Sequence, residues 1–213
     1  MTEPRKRDAE RTKAALLDAA AQEFARSGFA AARVEDIAQR VGIAKRLVFY
    51  YFNSKEQLYI ATLEDAYAKI RASEQALTDA SLTPREALQR ICTATFDYYV
   101  QHPGFVRLVA SENIEGGAFL AKSAIVKQSN EGIIRLLDNV LARGRADGTL
   151  RTDIEAVDVH MTISSLAFFV IANKHTFGTL FGVDMDAEDF RQHKRAQIVD
   201  IVDRFVRVLP AQA

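Results

Sequence analysis

The sequence predicts an all-α protein, and three observations carry that expectation. Only four prolines and ten glycines punctuate the 213 residues, which leaves long uninterrupted segments. Within those segments apolar residues recur at spacings of three and four, the period of a helix with one buried face. No segment shows the strict alternation of a half-exposed strand. A hydrophobic share of 48% beside 26% charged residues is enough for a packed core.

The elements follow in order. Leu16, Leu17, Ala20 and Phe24 share one face of a first helix over 8–27, which Gly28 ends with a left-handed stop. Two short helices, 34–41 and 45–51, flank Gly42-Ile43-Ala44. Ser54 caps a long helix over 55–80 whose apolar positions are Leu58, Tyr59, Leu63, Ala66, Tyr67 and Ile70. Thr83-Pro84 with Glu86 opens a helix over 84–101: threonine caps, proline suits the first turn, and the acid faces the positive end of the helix dipole. Further helices are expected over 103–115, 118–146, 155–175 and 187–209, with Gly148 and Gly182 in connections. The resulting organisation is a three-helix N-terminal domain over 1–55 and a larger helical domain over 56–213.

Charge and cysteine content narrow the function classes. Twenty-eight basic residues balance 28 acidic ones, so any nucleic-acid site has to come from local clustering. The single Cys92 forms neither an internal disulfide nor a zinc site by itself; it fits a reducing cytoplasm and reads as a small core residue. The charged opening residues Glu3, Arg5, Lys6, Arg7 and Asp8 lead into no apolar targeting segment. The longest apolar run, Leu166 to Ala172, falls far short of the roughly 20 residues a membrane span needs. A cytoplasmic protein with no membrane partner is the expectation.

Between Arg33 and Phe52 the spacing suits a helix-turn-helix. Ile37, Ala38 and Val41 face inward, Gly42 permits the tight turn, and Val48 and Phe52 anchor the second helix. The outward face of that helix carries Lys45, Arg46, Phe49 and Tyr50, cations and aromatics that suit a DNA groove, with Tyr51 and Lys55 at its far end. From Arg33 to Lys55 five bases stand against Glu35 and Asp36, a local excess of +3. Small helical pairs with a glycine turn also occur in proteins that never touch DNA, so the pattern alone leaves a structural reading open.

The stretch from Val34 through Lys45-Arg46-Leu47-Val48-Phe49-Tyr50-Tyr51-Phe52-Asn53-Ser54-Lys55 to Leu58 closely resembles the N-terminal signature of the TetR family of repressors. The preceding Ala19-Ala20, Glu23-Phe24 and Ser27-Gly28-Phe29 match as well. The resemblance implies a homodimer whose recognition helices enter successive major grooves of a palindromic double-stranded operator, and a C-terminal domain that binds a small molecule lowering DNA affinity. Carried over by position, Arg46 and Phe49 face bases, while Lys45, Tyr50, Tyr51 and Lys55 contact phosphates. Three positions depart from the family pattern. Arg33 stands where a capping Thr or Ser is usual and still offers a cation to the backbone. Arg46 replaces a common glycine and can either read a guanine or clamp a phosphate, and Leu47 replaces a small polar residue.

The C-terminal two-thirds holds a helix over 155–175 that is apolar on nearly every side. Val157, Met161, Phe168 and Ile171 form one stripe; Val159, Ile163, Leu166 and Val170 form another. Such a helix has to be buried all round. With the amphipathic 187–209 helix (Phe190, Ile198, Ile201, Val202, Phe205, Leu209) it predicts a two-fold dimer through a four-helix bundle, against the alternative of a central helix in a monomer. Candidate effector contacts are the aromatics Phe96, Tyr99, Phe105, Phe168 and Phe169 with Val109, and the polar residues Asn113, His160 and Asn173, which interrupt apolar stripes; Asn130 does the same. Segments 102–108 and 176–184 look similar to a subgroup that includes regulators of small aromatic-acid catabolism. No nucleotide-binding loop, nucleophile elbow or HExxH occurs, and the four histidines show no metal spacing; Glu112, His160 and His175 group into a metal site only on paper. The expectation is a regulator without enzyme activity, cofactor or metal.

Overall fold

The computed structural model describes residues 3–75, 77 and 79–208, except the side chains of 3–7 and 75. They form α1 (Glu3–Ala31), α2 (Val34–Val41), α3 (Lys45–Phe52), α4 (Lys55–Gln75), α5 (Pro84–Gln101), α6 (Pro103–Ile114), a 3-10 turn (Leu120–Lys122), α7 (Ala124–Ala146), α8 (Ala156–Ala172), α9 (Lys174–Phe181) and α10 (Glu188–Val206). Among the described residues the only β pairing is an isolated antiparallel bridge between Leu150 and Arg207. The all-α expectation holds.

Two compact units emerge. One comprises residues 1–69 and 104–127, the other 70–103 and 128–213, so the unit containing the helix-turn-helix runs past residue 55 and takes in α6.

The first unit is organised by aromatic packing. Leu16, Ala20 and Phe24 of α1, Ile37 of α2, Val48 and Phe52 of α3, Leu58, Tyr59 and Leu63 of α4, Leu108 of α6 and Phe119 form one buried core. Phe24 meets Tyr59 edge-on with centroids 4.8 Å apart, and Phe119 lies 4.3 Å from Phe29 and 5.0 Å from Tyr59. Each such pair contributes ~0.5–1.5 kcal/mol beyond its buried area. Phe119 keeps its place because buried Glu112 accepts the backbone N–H groups of Phe119 and Leu120, both at 2.9 Å. At Gly28 the chain takes φ 72° but an extended ψ of 171°, and one more helical turn follows to Ala31. The expected left-handed stop is therefore a kink, with Ser111 Oγ 3.5 Å from where a β-carbon would stand. A side chain there would be strained at positive φ.

The second unit packs α5, α8 and α10 together, with α7 and the end of α4. Its core includes Ile70, Leu88, Ile91, Cys92, Phe96, Leu137, Leu141, Val159, Ile163, Ala167, Ile198 and Val202. Thr83 caps α5 as expected, and Glu86 completes a capping box, with Thr83 N–H donating to Glu86 at 2.8 Å. Arg85 with Asp203 and Arg195 with Asp97 bridge α5 to α10 as forked ion pairs of 2.7–2.8 Å.

Four helix expectations need correction. The 55–80 helix ends at Gln75, and Asp79 turns the chain by accepting from Ser81 N–H and Oγ at 3.0 and 2.6 Å. The 118–146 helix is broken at Ser123, whose hydroxyl caps α7 by accepting from Val126 N–H at 3.2 Å. The 155–175 helix stops at Ala172, bends by 68° at Asn173 and restarts as α9. The 187–209 helix ends at Val206, and Leu209 lies outside the described residues.

Helix α8 is also not covered all round within one chain. Val159, Ile163, Ala167, Val170 and Ile171 are buried, whereas Val157, Met161 and Phe169 are 58%, 63% and 46% exposed. Ile171, assigned to the same stripe as Val157 and Met161, is buried where they are exposed. Among the described residues no single helix is long and apolar enough to cross a membrane.

Replacing Phe119 by alanine removes the ring that joins Phe29 to Tyr59. The expected loss is ~3 kcal/mol of unfolding free energy, seen as a lower urea midpoint at unchanged slope.

Candidate functional site

The two short helices are fixed by their ends. Glu35 and Asp36 sit at the positive end of α2, and Gly42 at its other end adopts φ 74°, ψ 30°, so that Ile43 N–H reaches Ala38 O at 3.0 Å. This left-handed residue turns the chain directly into α3. Arg33, at the N-cap of α2, makes no side-chain cap bond and is exposed, leaving its guanidinium available.

Helix α3 buries Val48 and Phe52 and turns Lys45, Arg46 and Tyr50 outward, with Tyr50 77% exposed. Phe49 and Tyr51 are half-buried and flank that face. Its N-cap is Ala44, which has no capping side chain, and its first turn carries two cations at the positive end of the dipole. That arrangement is locally unfavourable for a helix and favourable for a helix facing an anion, since free N–H groups and cations point the same way.

The predicted contact residues differ in how free they are. The Arg46 side chain makes no hydrogen bond or ion pair with the described residues. Lys45 is held by Glu35 at 2.5 Å and lies 5.5 Å over the Phe49 ring. The pairing with Lys45 keeps the Glu35 carboxyl below its usual range. Lys55 donates to Ala30 O at 3.1 Å and sits 4.9 Å over Phe29, so it closes the last turn of α1; burial draws its ammonium below the usual lysine value. The α1–α2 corner is pinned by buried Glu23, which accepts from Arg26 at 2.7 and 2.9 Å and from Ser27 at 3.1 Å and lies 3.5 Å from Arg40 of α2. Those donors, Arg26 first, hold the Glu23 carboxyl low against the opposing effect of burial. Glu23 entered the sequence reading only as part of the signature and Glu35 only in the charge balance, and neither they nor Ala30 were paired with a cation, because charge spacing alone does not show which cations are already engaged.

The residues expected around an effector fall in both units. Phe105, Val109 and Asn113 of α6 belong to the first. There Phe105 packs edge-on against Tyr67 at 5.5 Å, and Asn113 is exposed, donating to Val109 O at 2.9 Å. Phe96, Tyr99, His160, Phe168, Phe169 and Asn173 belong to the second. There Tyr99 meets Phe168 edge-on at 6.3 Å, while Phe169 faces outward and Asn173 sits at the α8–α9 bend, donating to Phe169 O at 3.4 Å. Neither Asn113 nor Asn173 is the buried amide its apolar neighbours suggested. His160 is half-buried, and burial first, then the Arg71 charge, pulls it down to about 4, so it is neutral at physiological pH.

Sequence reading also passed over Arg71 and Glu74, a buried ion pair at 2.5 Å in the last turns of α4. A signal for it exists. Leu63, Tyr67 and Ile70 define an apolar stripe that Glu74 continues at the same spacing.

Over residues 16–62 the sequence matches a family described as bacterial regulatory proteins, tetR family, and over residues 84–202 one described as the C-terminal domain of tetracyclin repressor-like proteins. It is 32% identical over 203 residues to the HTH-type transcriptional repressor NicS of Pseudomonas putida, covering 95% of this chain and 96% of that protein. Similarity to the repressor KstR2 of Mycolicibacterium smegmatis is 28% over 140 residues, 66% of this chain and 68% of that one. In fold it is similar to a TetR family transcription regulator from Marinobacter aquaeolei, with a TM-score of 0.74 at 19% identity, covering 96% of this chain and 100% of that one.

Glu35 occupies Lys45 and would compete with a phosphate for it. Glu35→Gln is expected to tighten duplex DNA binding by about two- to fivefold on every sequence, with a steeper salt dependence, because an exposed pair of this kind is weak and easily exchanged. Fluorescence anisotropy across a salt series checks it.

Proposed function

The chain belongs to the TetR family of DNA-binding transcriptional regulators, and we propose that it represses transcription as a homodimer on a palindromic operator, from which a small molecule releases it. The observation that carries this reading is the outward face of α3: Lys45, Arg46 and Tyr50 exposed on a helix that Val48 and Phe52 fix to the core. Arg46 and Phe49 are assigned to base edges, and Lys45, Tyr50, Tyr51 and Arg33 to phosphates. Lys55 retains two donors beyond the one given to Ala30 and acts from the rim of the interface.

Dimerisation is assigned to α8 and α10. Leu166, Phe169, Phe177, Phe190 and Ile201 line an apolar groove, and exposed Val157 and Met161 extend the same helix face. A contiguous apolar surface of this kind favours burial against a second copy. Residues 1–55 then serve DNA, and residues 56–213 serve effector binding and dimerisation, in the cytoplasm and without catalysis. Release follows if the effector binds the conformation with weaker operator affinity more tightly.

Binding of the purified protein to the DNA upstream of its own gene is the test. At near-physiological salt it is expected to exceed binding to unrelated duplex by at least ~10³. Binding no tighter than to competitor there and in a random-sequence selection would reject the reading. Arg46→Ala is expected to relax base preference at one position per half-site; an equal loss on every sequence assigns Arg46 to phosphate instead. For the dimer, Phe169→Asp places a charge in the groove. Sedimentation is expected to show monomers, with operator affinity lost and helical content kept.

A further inference from the structure

The pair formed by Arg71 and Glu74 is expensive as a structural element. Arg71 is 8% exposed and Glu74 4%, and the guanidinium Nε has no hydrogen-bond partner. A buried ion pair offsets its desolvation only when its remaining donors and acceptors are satisfied, and two apolar residues of similar size usually do as well or better. Here the deficit is visible. Burial pushes the Glu74 carboxyl up to about 7 despite the adjoining guanidinium. Perturbed groups of this kind concentrate at functional sites.

The surroundings have the composition of an anion site with an aromatic wall. His160, Ser164 and Phe168 follow one another at four-residue spacing and so form a single ridge of α8. Tyr99 of α5 meets this ridge, lying edge-on to Phe168 at 6.3 Å with Ser164 beside it. The charges of Arg71 and Glu74 both reach Tyr99, and that of Arg71 reaches His160. Phe96, one turn from Tyr99 on α5, is fully buried. A buried cation, a phenol, an imidazole and aromatic rings thus belong to one compact unit, with Tyr99 against Phe168 and both Tyr99 and His160 within range of the Arg71 charge.

We propose that Arg71 anchors the effector, that the effector is a small organic carboxylate with an aromatic body, and that its carboxylate takes the guanidinium over from Glu74. This deepens the ligand-released reading above and rests on it. A fork of guanidinium N–H groups pairs with a carboxylate through two parallel bonds, which one bond to Glu74 does not use to the full. The ring of the ligand lies against Phe168 and Tyr99, and the phenol of Tyr99 and the neutral imidazole of His160 donate to it without adding charge. Displaced from Arg71 and facing a second carboxylate, Glu74 takes up a proton. The groups facing it are Arg71 on its own helix, Tyr99 of α5 and, around the same guanidinium, His160 of α8. Tyr99 is held high by burial and His160 sits at about 4, so Glu74 is the group of this cluster that titrates near neutrality.

The test is calorimetry on the full chain without DNA, which separates its outcome from that of the operator assay. The probes are benzoate, phenylacetate and 1-naphthoate, each beside its neutral amide. At least one carboxylate is expected to bind tenfold or more tightly than its amide, with that preference lost in Arg71→Gln. Affinity is expected to rise as pH falls from 9 towards 7, by up to tenfold per unit, and to level off below, with proton uptake shown by two buffers of different ionisation enthalpy. Glu74→Gln preserves shape and is expected to bind the carboxylate more tightly and without that pH dependence, which keeps the test decisive if Arg71→Gln fails to fold. Amides bound as tightly as every carboxylate, or a wild-type pH profile unchanged by Glu74→Gln, would overturn the proposal.

Discussion

An eight-residue helix with lysine and arginine in its first turn has no stability of its own. Nucleating a helix costs more than two turns return, and cations at the positive end add to that cost. The orientation of α3 is therefore set wholly by what its inner face touches, namely Val48 and Phe52 in the core of the first unit. Everything the outer face can do with a DNA groove depends on that seat. The same constraint explains why the turn before it uses a left-handed glycine: Gly42 brings α2 round so closely that Ala38, with only a methyl group, packs in the corner.

The seat is wider than the helix-turn-helix. Phe119, which follows α6, closes against Phe29 and Tyr59, and Glu112 of α6 fixes it through two backbone bonds. The chain passes between the two compact units at 69–70, 103–104 and 127–128. Two of these passages bound the segment that contributes Glu112 and Phe119, and the third lies in α4, which contributes Tyr59. A change in the second unit thus has covalent routes to the residues that hold α3, without any need for a line of side chains from one site to the other.

Legibility in the sequence follows the strength of local signals. The bounds of α2 and α5 were readable, and α3 was read to within one residue, because Gly42 and the Thr83-Pro84-Glu86 cap are strong and unambiguous. Ser123 and Asn173 were not, since a serine or asparagine between two helix-period segments is compatible with both continuation and a break, and only tertiary packing decides. Outward residues of α3 could be named from periodicity. The state of their charges could not: Lys45 meets Glu35 across ten residues and Lys55 meets the Ala30 carbonyl across 25. The strongly apolar α8 was read as needing cover on more than one face; its division into stripes grouped buried Ile171 with exposed Val157 and Met161, because burial next to the bend at Asn173 is set by tertiary packing and not by helical period alone.

Electrostatics sets how such a protein finds DNA. With 28 charges of each sign the chain as a whole has no long-range pull on a polyanion. At physiological salt the Debye length is ~8 Å, so a phosphate responds to the head that faces it and hardly to the remaining charge. The local excess of +3 already sets Glu35 against its partner Lys45, while Arg33 and Arg46 stay available. A weak counterion-release term lowers affinity for arbitrary DNA and leaves a larger share of the binding free energy to groups that meet base edges. Balanced global charge and a partly self-neutralised head therefore favour discrimination between sequences over raw affinity, which suits a protein that has to ignore most of a genome and yet let go of its own site.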